Sequence, residues 1–199
     1  MVHKYTAALA WPFLHKPAFA LVIEVEWDAT DPNSQYKARI IEEIEEMSLP
    51  DMFRRCLDLH KKYEVEGWYG DAMNEPMMNL MVQSGAVIPL APAPYIDDPN
   101  ASSLYRQIIR ELTREDKKVL WYGESSLPGH VRNLPEDKPI NISEYPPVAA
   151  LGYVAAALYL WLQLEYKKKP KTYFERIIKH VEDEDGGGED EDGGGYFPE

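Results

Sequence analysis

The stretch AFALVIEVEWD, at Ala18–Asp28, decides the fold because it is the clearest strand in the sequence. Its apolar side chains alternate with Glu24, Glu26 and the final aspartate, and a period of two is typical of a β-strand. Next in the chain is Asp31-Pro32-Asn33-Ser34. This sequence predicts a turn, because Pro fixes φ and the side chains of Asn and Ser form hydrogen bonds with their own backbone. A third strand over Tyr36–Glu46 then completes a hairpin.

The register of this hairpin explains its acids without any catalytic role. A turn centred between residues 31 and 32 places Glu24 opposite Arg39 and Glu26 opposite Lys37. Opposite charges at facing positions stabilise a strand pair. The two glutamates are therefore expected to form cross-strand ion pairs.

Working outward, Lys4–Trp11 reads as a strand that the proline-bounded break Pro12–Pro17 separates from the hairpin. The other predicted elements are a helix from Ser48 to Val65, a strand over Glu66–Gly70, a helix over Met73–Ser84, a strand over Ala86–Leu90, a loop to Pro99, a helix over Ser102–Arg114, a small strand over Val119–Tyr122, a mostly irregular stretch over Leu127–Asn141, a long apolar helix over Tyr145–Lys167 and an amphipathic piece over Lys171–Val181. A three-strand antiparallel meander followed by parallel strands, with helices on both faces, is an α/β mixed sheet.

Composition limits the class of protein and its surroundings. The 199 residues suit one domain, which we place at 1–181, and the net charge of −13 excludes a globally basic nucleic-acid binder. The acidic, Gly-rich tail 182–199 cannot bury apolar area and is predicted to be disordered. The lone Cys56 excludes a disulfide framework and a cysteine-built zinc site, and it suits the cytoplasm.

One segment raises the alternative of a membrane-associated protein. Val148–Leu164 has 17 residues without a charge, and lysines follow at 167–169, as in a stop-transfer flank. Its length is marginal for a bilayer, and Gly152, Gln163 and five alanines weaken the segment further. We expect a buried core helix and no stable membrane insertion.

The order of elements from about Lys4 to Leu164 resembles the ribonuclease H-like nuclease domain at the C-terminal end of phage large terminase subunits. The similar pieces are the strand that ends in an aspartate, EGWYGD at Glu66–Asp71, then a helix, Gly85 and a short apolar strand. The closing helix also begins near an acid, in EYPPVAALGY at Glu144–Tyr153. The resemblance implies a ribonuclease H-like mixed sheet and a role in DNA packaging or processing.

The resemblance also implies phosphodiester hydrolysis by two divalent ions, Mg²⁺ or Mn²⁺, held by clustered carboxylates. Asp71 matches the acid at the end of the fourth strand, although it also suits a turn or helix cap. Glu144 is the candidate at the last helix, where the helix dipole alone favours an acid. The first-strand position falls near Ala10, where no acid stands, and an alternative register would supply Glu24 or Glu26 instead.

Basic residues that would contact phosphate gather in the second half of the chain: Arg106, Arg110, Arg114, Lys117, Lys118 and Arg132. Solvated helix faces explain them equally well. The sequence thus leaves two main hypotheses: a metal-dependent endonuclease with an incomplete site, or an inactive relative that binds double-stranded DNA or a viral packaging or capsid protein. Either would work in the cytoplasm of a phage-infected or prophage-bearing bacterium, or in a virion.

Overall fold

The computed structural model describes residues 1–30, 35–114, 119–134 and 141–167. Met1–Trp161 form one compact unit. Its strands are β1 (Val2–Ala10), β2 (Ala18–Trp27), β3 (Lys37–Glu46), β4 (Gly67–Gly70), β5 (Leu90–Pro92) and β6 (Leu120–Trp121). The helices are α1 (Leu49–Tyr63), α2 (Glu75–Gln83), α3 (Ala101–Thr113), α4 (Leu127–Arg132) and α5 (Pro146–Lys167), and a 3₁₀ turn spans Ile142–Glu144.

The six strands form one mixed sheet in the order β5-β4-β1-β2-β3-β6. The meander β1-β2-β3 is antiparallel. Three further contacts are parallel, between β1 and β4, β4 and β5, and β3 and β6. In the ribonuclease H-like arrangement, the first strand of an antiparallel meander pairs on its other side with a parallel strand. The same arrangement is present here, so the predicted fold class is confirmed.

The β2–β3 hairpin has the predicted register. Glu24 faces Arg39 and Glu26 faces Lys37, with an irregularity in the pairing after Val22. Arg39 also forms the expected ion pair with Glu24, at 2.5 Å. The alternation of β2 and its turn sequence were therefore sufficient to fix the pairing of these two strands.

One face of the sheet packs against α1 and α2. Helix α1 begins as its sequence predicts, because the Ser48 side chain accepts a hydrogen bond from the Asp51 backbone N–H and Pro50 lies in the first turn. It buries Phe53 and Cys56 in the core between the helices and the sheet, together with Trp68 of β4. The single cysteine is thus a core residue, and burial raises its pKa to about 12.

The other face carries α5 and α3. Trp161 of α5 packs on Trp27 of β2, with ring centroids 5.4 Å apart, and Gly152 lets α5 approach Tyr105 of α3. Within the described residues, Pro146–Leu164 is long and apolar enough to cross a membrane, yet 78% of this apolar segment is buried inside the fold. This burial supports the interpretation of α5 as a core helix.

One prediction about local structure was wrong. The strand expected over Ala86–Leu90 lies at Leu90–Pro92, in what was expected to be loop, because Ala86 and Ile88 bury their side chains without pairing. Strand β5 tolerates its proline because it lies at the edge of the sheet. The stretch Leu127–Asn141, expected to be mostly irregular, begins with the short helix α4, and its residues 135–140 lie outside the described residues. The predicted piece Lys171–Val181 and the acidic tail lie outside the described residues.

Candidate functional site

The carboxyl ends of β1 and β4 meet at one edge of the sheet, and Asp71 lies there. These strands are parallel, with Leu9 beside Gly70, so the next residues along them, Ala10 and Asp71, are neighbours. The indole N–H of Trp11 donates a hydrogen bond of 2.8 Å to the backbone carbonyl of Asp71. Together with the turn Ile142–Glu144, Ala10 and Asp71 form what we name the Asp71 edge.

Glu144 lies in the 3₁₀ turn before α5. Tyr153 of α5 lies near both this turn and Asp71: its hydroxyl is hydrogen-bonded to Ser143, and the charge of Asp71 acts on it. Burial raises the pKa of Tyr153 and the Asp71 carboxylate raises it further, against the opposing effect of Ser143. Asp71 and the turn that carries Glu144 are therefore close in space.

A lysine helps to hold the same turn. Lys16, in the tight turn that joins β1 to β2, donates a hydrogen bond of 2.6 Å to the backbone carbonyl of Glu144. Its ammonium also lies 4.1 Å from the centre of the Tyr145 ring, a cation–π contact. The loop after β1 is thereby tied to the start of α5.

Gly70 fixes the position of Asp71. A Cβ at residue 70 would lie 2.4 Å from the backbone carbonyl oxygen of Leu9, so only glycine allows β4 to approach β1 this closely. Because Asp71 follows directly, its distance from the end of β1 depends on this contact.

The residues at the Asp71 edge do not fit a pair of divalent ions. Two such ions need several carboxylates to offset their charge. Ala10, beside Asp71, is 2% exposed and has no ligand atom in its side chain. Among the residues that the structure describes, no three His, Cys, Asp or Glu side chains are grouped so as to hold a metal ion.

Glu24 and Glu26, the alternative first-strand ligands, are not brought to the Asp71 edge. Glu24 faces Tyr5 and Glu26 faces His3, both near the amino end of β1. Tyr5 precedes Ala10 by five residues, which in an extended strand corresponds to about 17 Å. The observed first strand is Val2–Ala10, so the register that would have placed these acids beside Asp71 does not occur.

Glu24 instead belongs to a polar network that we name the Glu24 cluster, made of His3, Tyr5, Glu24 and Arg39. One carboxylate oxygen lies 3.0 Å from His3 Nδ1 and 3.2 Å from the Tyr5 hydroxyl, and the other accepts from Arg39. Burial alone would raise the pKa of Glu24, but the hydrogen bonds from Arg39, His3 and Tyr5 outweigh it, so the pKa is lowered. Both oxygens of the Glu24 carboxylate are therefore hydrogen-bonded within the fold.

Three of the predicted phosphate-binding residues share one helix. Arg106, Arg110 and Arg114 follow one another at four-residue intervals along α3 and its C-cap, which places them on one face. Arg114 contacts Glu111 at 3.3 Å. Arg132 lies in the last turn of α4 and is exposed, whereas Lys117 and Lys118 lie outside the described residues.

Sequence reasoning missed Lys16, Ser143 and Tyr153. Each joins the Asp71 edge through tertiary packing, and none stands in a spacing that signals it. The prolines at 12 and 17 indicate only that the intervening chain turns sharply.

Comparison with solved structures finds chains of similar fold. The large terminase nuclease of thermophilic phage G20c is 16% identical, with 76% of this chain and 80% of that chain covered and a TM-score of 0.49. The large terminase nuclease domain of bacteriophage SPP1 with bound Mn is 14% identical, with 75% and 84% covered and a TM-score of 0.45. Thermus thermophilus RuvC is 11% identical, with 78% and 95% covered and a TM-score of 0.31.

The G20c nuclease has also been solved with bound zinc. No protein-family model matches the chain, and no curated protein sequence does. At these identities and overlaps, the assignment of a ribonuclease H-like fold rests on the strand order and directions given above.

Proposed function

We propose that this chain is a terminase-nuclease-like domain that acts on or around double-stranded DNA in a phage or prophage, with weak or no nuclease activity of its own. The observation that carries the proposal is Ala10, which occupies the first-strand position beside Asp71 in a ribonuclease H-like sheet. Asp71 and Glu144 remain as candidate ligands for Mg²⁺ or Mn²⁺. The proposed setting is the cytoplasm of a phage-infected or prophage-bearing bacterium, or a virion.

The missing ligand weakens both tasks that a metal site performs. Metal occupancy depends on the number of carboxylates, and activation of water depends on the metal. We expect little or no nicking of supercoiled plasmid in Mg²⁺ and at most a trace in Mn²⁺. Strong Mg²⁺-dependent cleavage that disappears in Asp71→Ala and Glu144→Ala would overturn the proposal.

A restoring substitution sharpens this test. Ala10→Asp adds a carboxylate beside Asp71, whereas Ala10→Asn adds a side chain of the same shape without the charge. We expect Mn²⁺ to raise the melting temperature of Ala10→Asp and not of Ala10→Asn, with a gain of nicking only in the aspartate variant. Because Ala10 is buried, either polar side chain could unfold the protein, so circular dichroism is used to check that both variants fold. If they do not fold, the nicking assay of the wild-type protein still tests the proposal.

Measuring DNA binding distinguishes a chain that binds double-stranded DNA from one that binds a viral packaging or capsid protein. If α3 contacts phosphates, Arg110→Ala should weaken binding of duplex DNA for all sequences alike and reduce the slope of log K against log salt by about 0.9. Arg54→Ala, on α1, is the matched control. A chain that neither cuts nor binds DNA would point instead to a viral packaging or capsid protein as its partner.

A further inference from the structure

A cleft opens between the sheet and α5, beside the amino-terminal half of β1. It has a volume of about 190 Å³. Thr6, Val25 and Tyr69 form its sheet side, and Ala157, Leu158 and Trp161 form its helix side. Tyr69 precedes Asp71 by two residues, about 7 Å along β4, so the cleft lies next to the Asp71 edge, but neither Asp71 nor Glu144 lines it.

Trp161 gives the cleft a rigid aromatic wall. Its ring packs 5.4 Å from Trp27 and 5.0 Å from Tyr36, in the tilted and edge-to-face geometries that aromatic pairs prefer. These contacts hold the indole in place before any ligand arrives, and a ring that is already ordered loses little entropy on binding. Space beside it exists because residue 157 is an alanine, one turn earlier on the same side of α5.

The polar groups of the cleft favour an uncharged ligand. Lys4 and Glu66 line it and pair with each other at 3.0 Å, so their charges balance. The Thr6 hydroxyl donates to the backbone carbonyl of Gly67 and still has an oxygen that can accept. Within the described part of the chain, the Tyr69 hydroxyl has no hydrogen-bond partner, so it can donate to or accept from a ligand.

We propose that this cleft binds a nucleobase, an uncharged planar ring with a hydrogen-bonding edge, which stacks against Trp161. The size fits one ring system, because clefts that hold drug-sized ligands enclose about 300–1,000 Å³. Stacking of a base on an aromatic side chain raises affinity by about 5- to 150-fold. The site goes beyond the proposed nuclease-like role, since it uses neither the Asp71 edge nor a metal ion.

The test uses the full chain and uncharged probes. Adenosine, guanosine, cytidine and thymidine are titrated separately and followed by two-dimensional NMR of the tryptophan indole N–H groups, with ribose as the sugar control. We expect the Trp161 signal to shift with nucleosides and not with ribose. A short single-stranded oligonucleotide that shifts the same signal identifies a base within a strand as the ligand, and one that does not restricts the site to free nucleosides.

Two variants make the outcome decisive. Ala157→Leu fills the cleft and should weaken nucleoside binding, followed at the Trp161 signal, by about tenfold or more. Trp121→Phe, on β6, should leave it unchanged, and a thermal melt of each variant confirms that it folds. The proposal is overturned if no nucleoside shifts the Trp161 signal, if binding survives Ala157→Leu in the folded protein, or if N-acetyltyrosinamide binds as well as the nucleosides, which would make the cleft a pocket for an aromatic side chain of a protein.

Discussion

The Asp71 edge and the Glu24 cluster both present acids on the same sheet, yet their carboxylates are in opposite situations. Glu24 is 8% exposed and is held by His3, Tyr5 and Arg39. Asp71 is half-buried, and among the described residues its hydrogen bonds, from the Trp11 indole N–H and the Asn74 N–H, are accepted by its backbone carbonyl and not by its carboxylate. A carboxylate whose oxygens are already satisfied stabilises the fold, whereas one that keeps its oxygens available can serve a ligand.

The largest effect is expected where the Asp71 edge depends on backbone packing. Gly70→Ala places a Cβ against the Leu9 carbonyl, and strands cannot separate locally without losing pairing, so we expect a loss of about 3 kcal/mol in the free energy of unfolding. For a chain of this size that lowers the melting temperature by about 6–12 °C. Gly129→Ala is the matched control, because a Cβ there meets nothing within 4 Å. Equal melting temperatures for the two variants would show that β4 does not need the close approach.

A smaller loss is expected at the Glu24 cluster. Glu24→Ala removes the acceptor for three side chains, and unfolding in urea should show a loss of about 2 kcal/mol. Glu26→Ala, two residues along the same strand, should change stability by less than about 0.5 kcal/mol. Equal losses for the two variants would show that the hydrogen bonds around Glu24 add no stability beyond that of the half-buried Glu26.

The pH dependence of stability should reveal the same network. The pKa of Glu24 is lowered in the folded protein, so its contribution is fully present above the unfolded value of about 4.3 and is lost as the pH falls through the folded value. The stability difference between wild type and Glu24→Gln should therefore be constant from pH 7 to about pH 4.3 and shrink below it. Glu42, whose pKa is also lowered, first by a hydrogen bond from Lys62, is present in both proteins and cancels. A difference that grows with acid would contradict this assignment.

The smallest effect is expected at Asp71 itself. Asp71→Asn keeps the size of the side chain and the backbone contact with Trp11, so the free energy of unfolding should change by less than about 0.5 kcal/mol. Urea unfolding of this variant beside Glu24→Ala is a direct comparison of the two regions. A loss at Asp71 as large as that at Glu24 would mean that its carboxylate is a structural group.

The parts of the fold that depend on local patterns could be predicted from the sequence. The alternation in β2 and the turn after it give the register that pairs Glu24 with Arg39, because a period of two leaves one register with the apolar side chains buried. The Ser48 cap of α1 is likewise a local signal. Strand β5 was misplaced because Ile88 and Leu90 are equally apolar, and only the partner strand decides which of them pairs.

The candidate site was less predictable, because it depends on which strand ends meet. Asp71 follows a strand and can be found from that position alone. The vacancy at Ala10 also follows from the sequence once Lys4–Trp11 is taken as the first strand. The contact of Lys16 with Glu144 joins residues 128 positions apart in the chain, and that of Ser143 with Tyr153 depends on how the 3₁₀ turn folds against α5, so no spacing rule anticipates either.

The burial of α5 has a consequence for how the chain is made. Every strand of the sheet precedes α5 in the sequence, so during synthesis the face that carries Phe19, Leu21 and Ile23 can be covered only by α3 until residues 146–161 have left the ribosome. Over that interval the emerging helix itself has the hydropathy of a membrane-spanning segment. Docking of α5 on the sheet therefore ends the interval during which this apolar surface is exposed to aggregation.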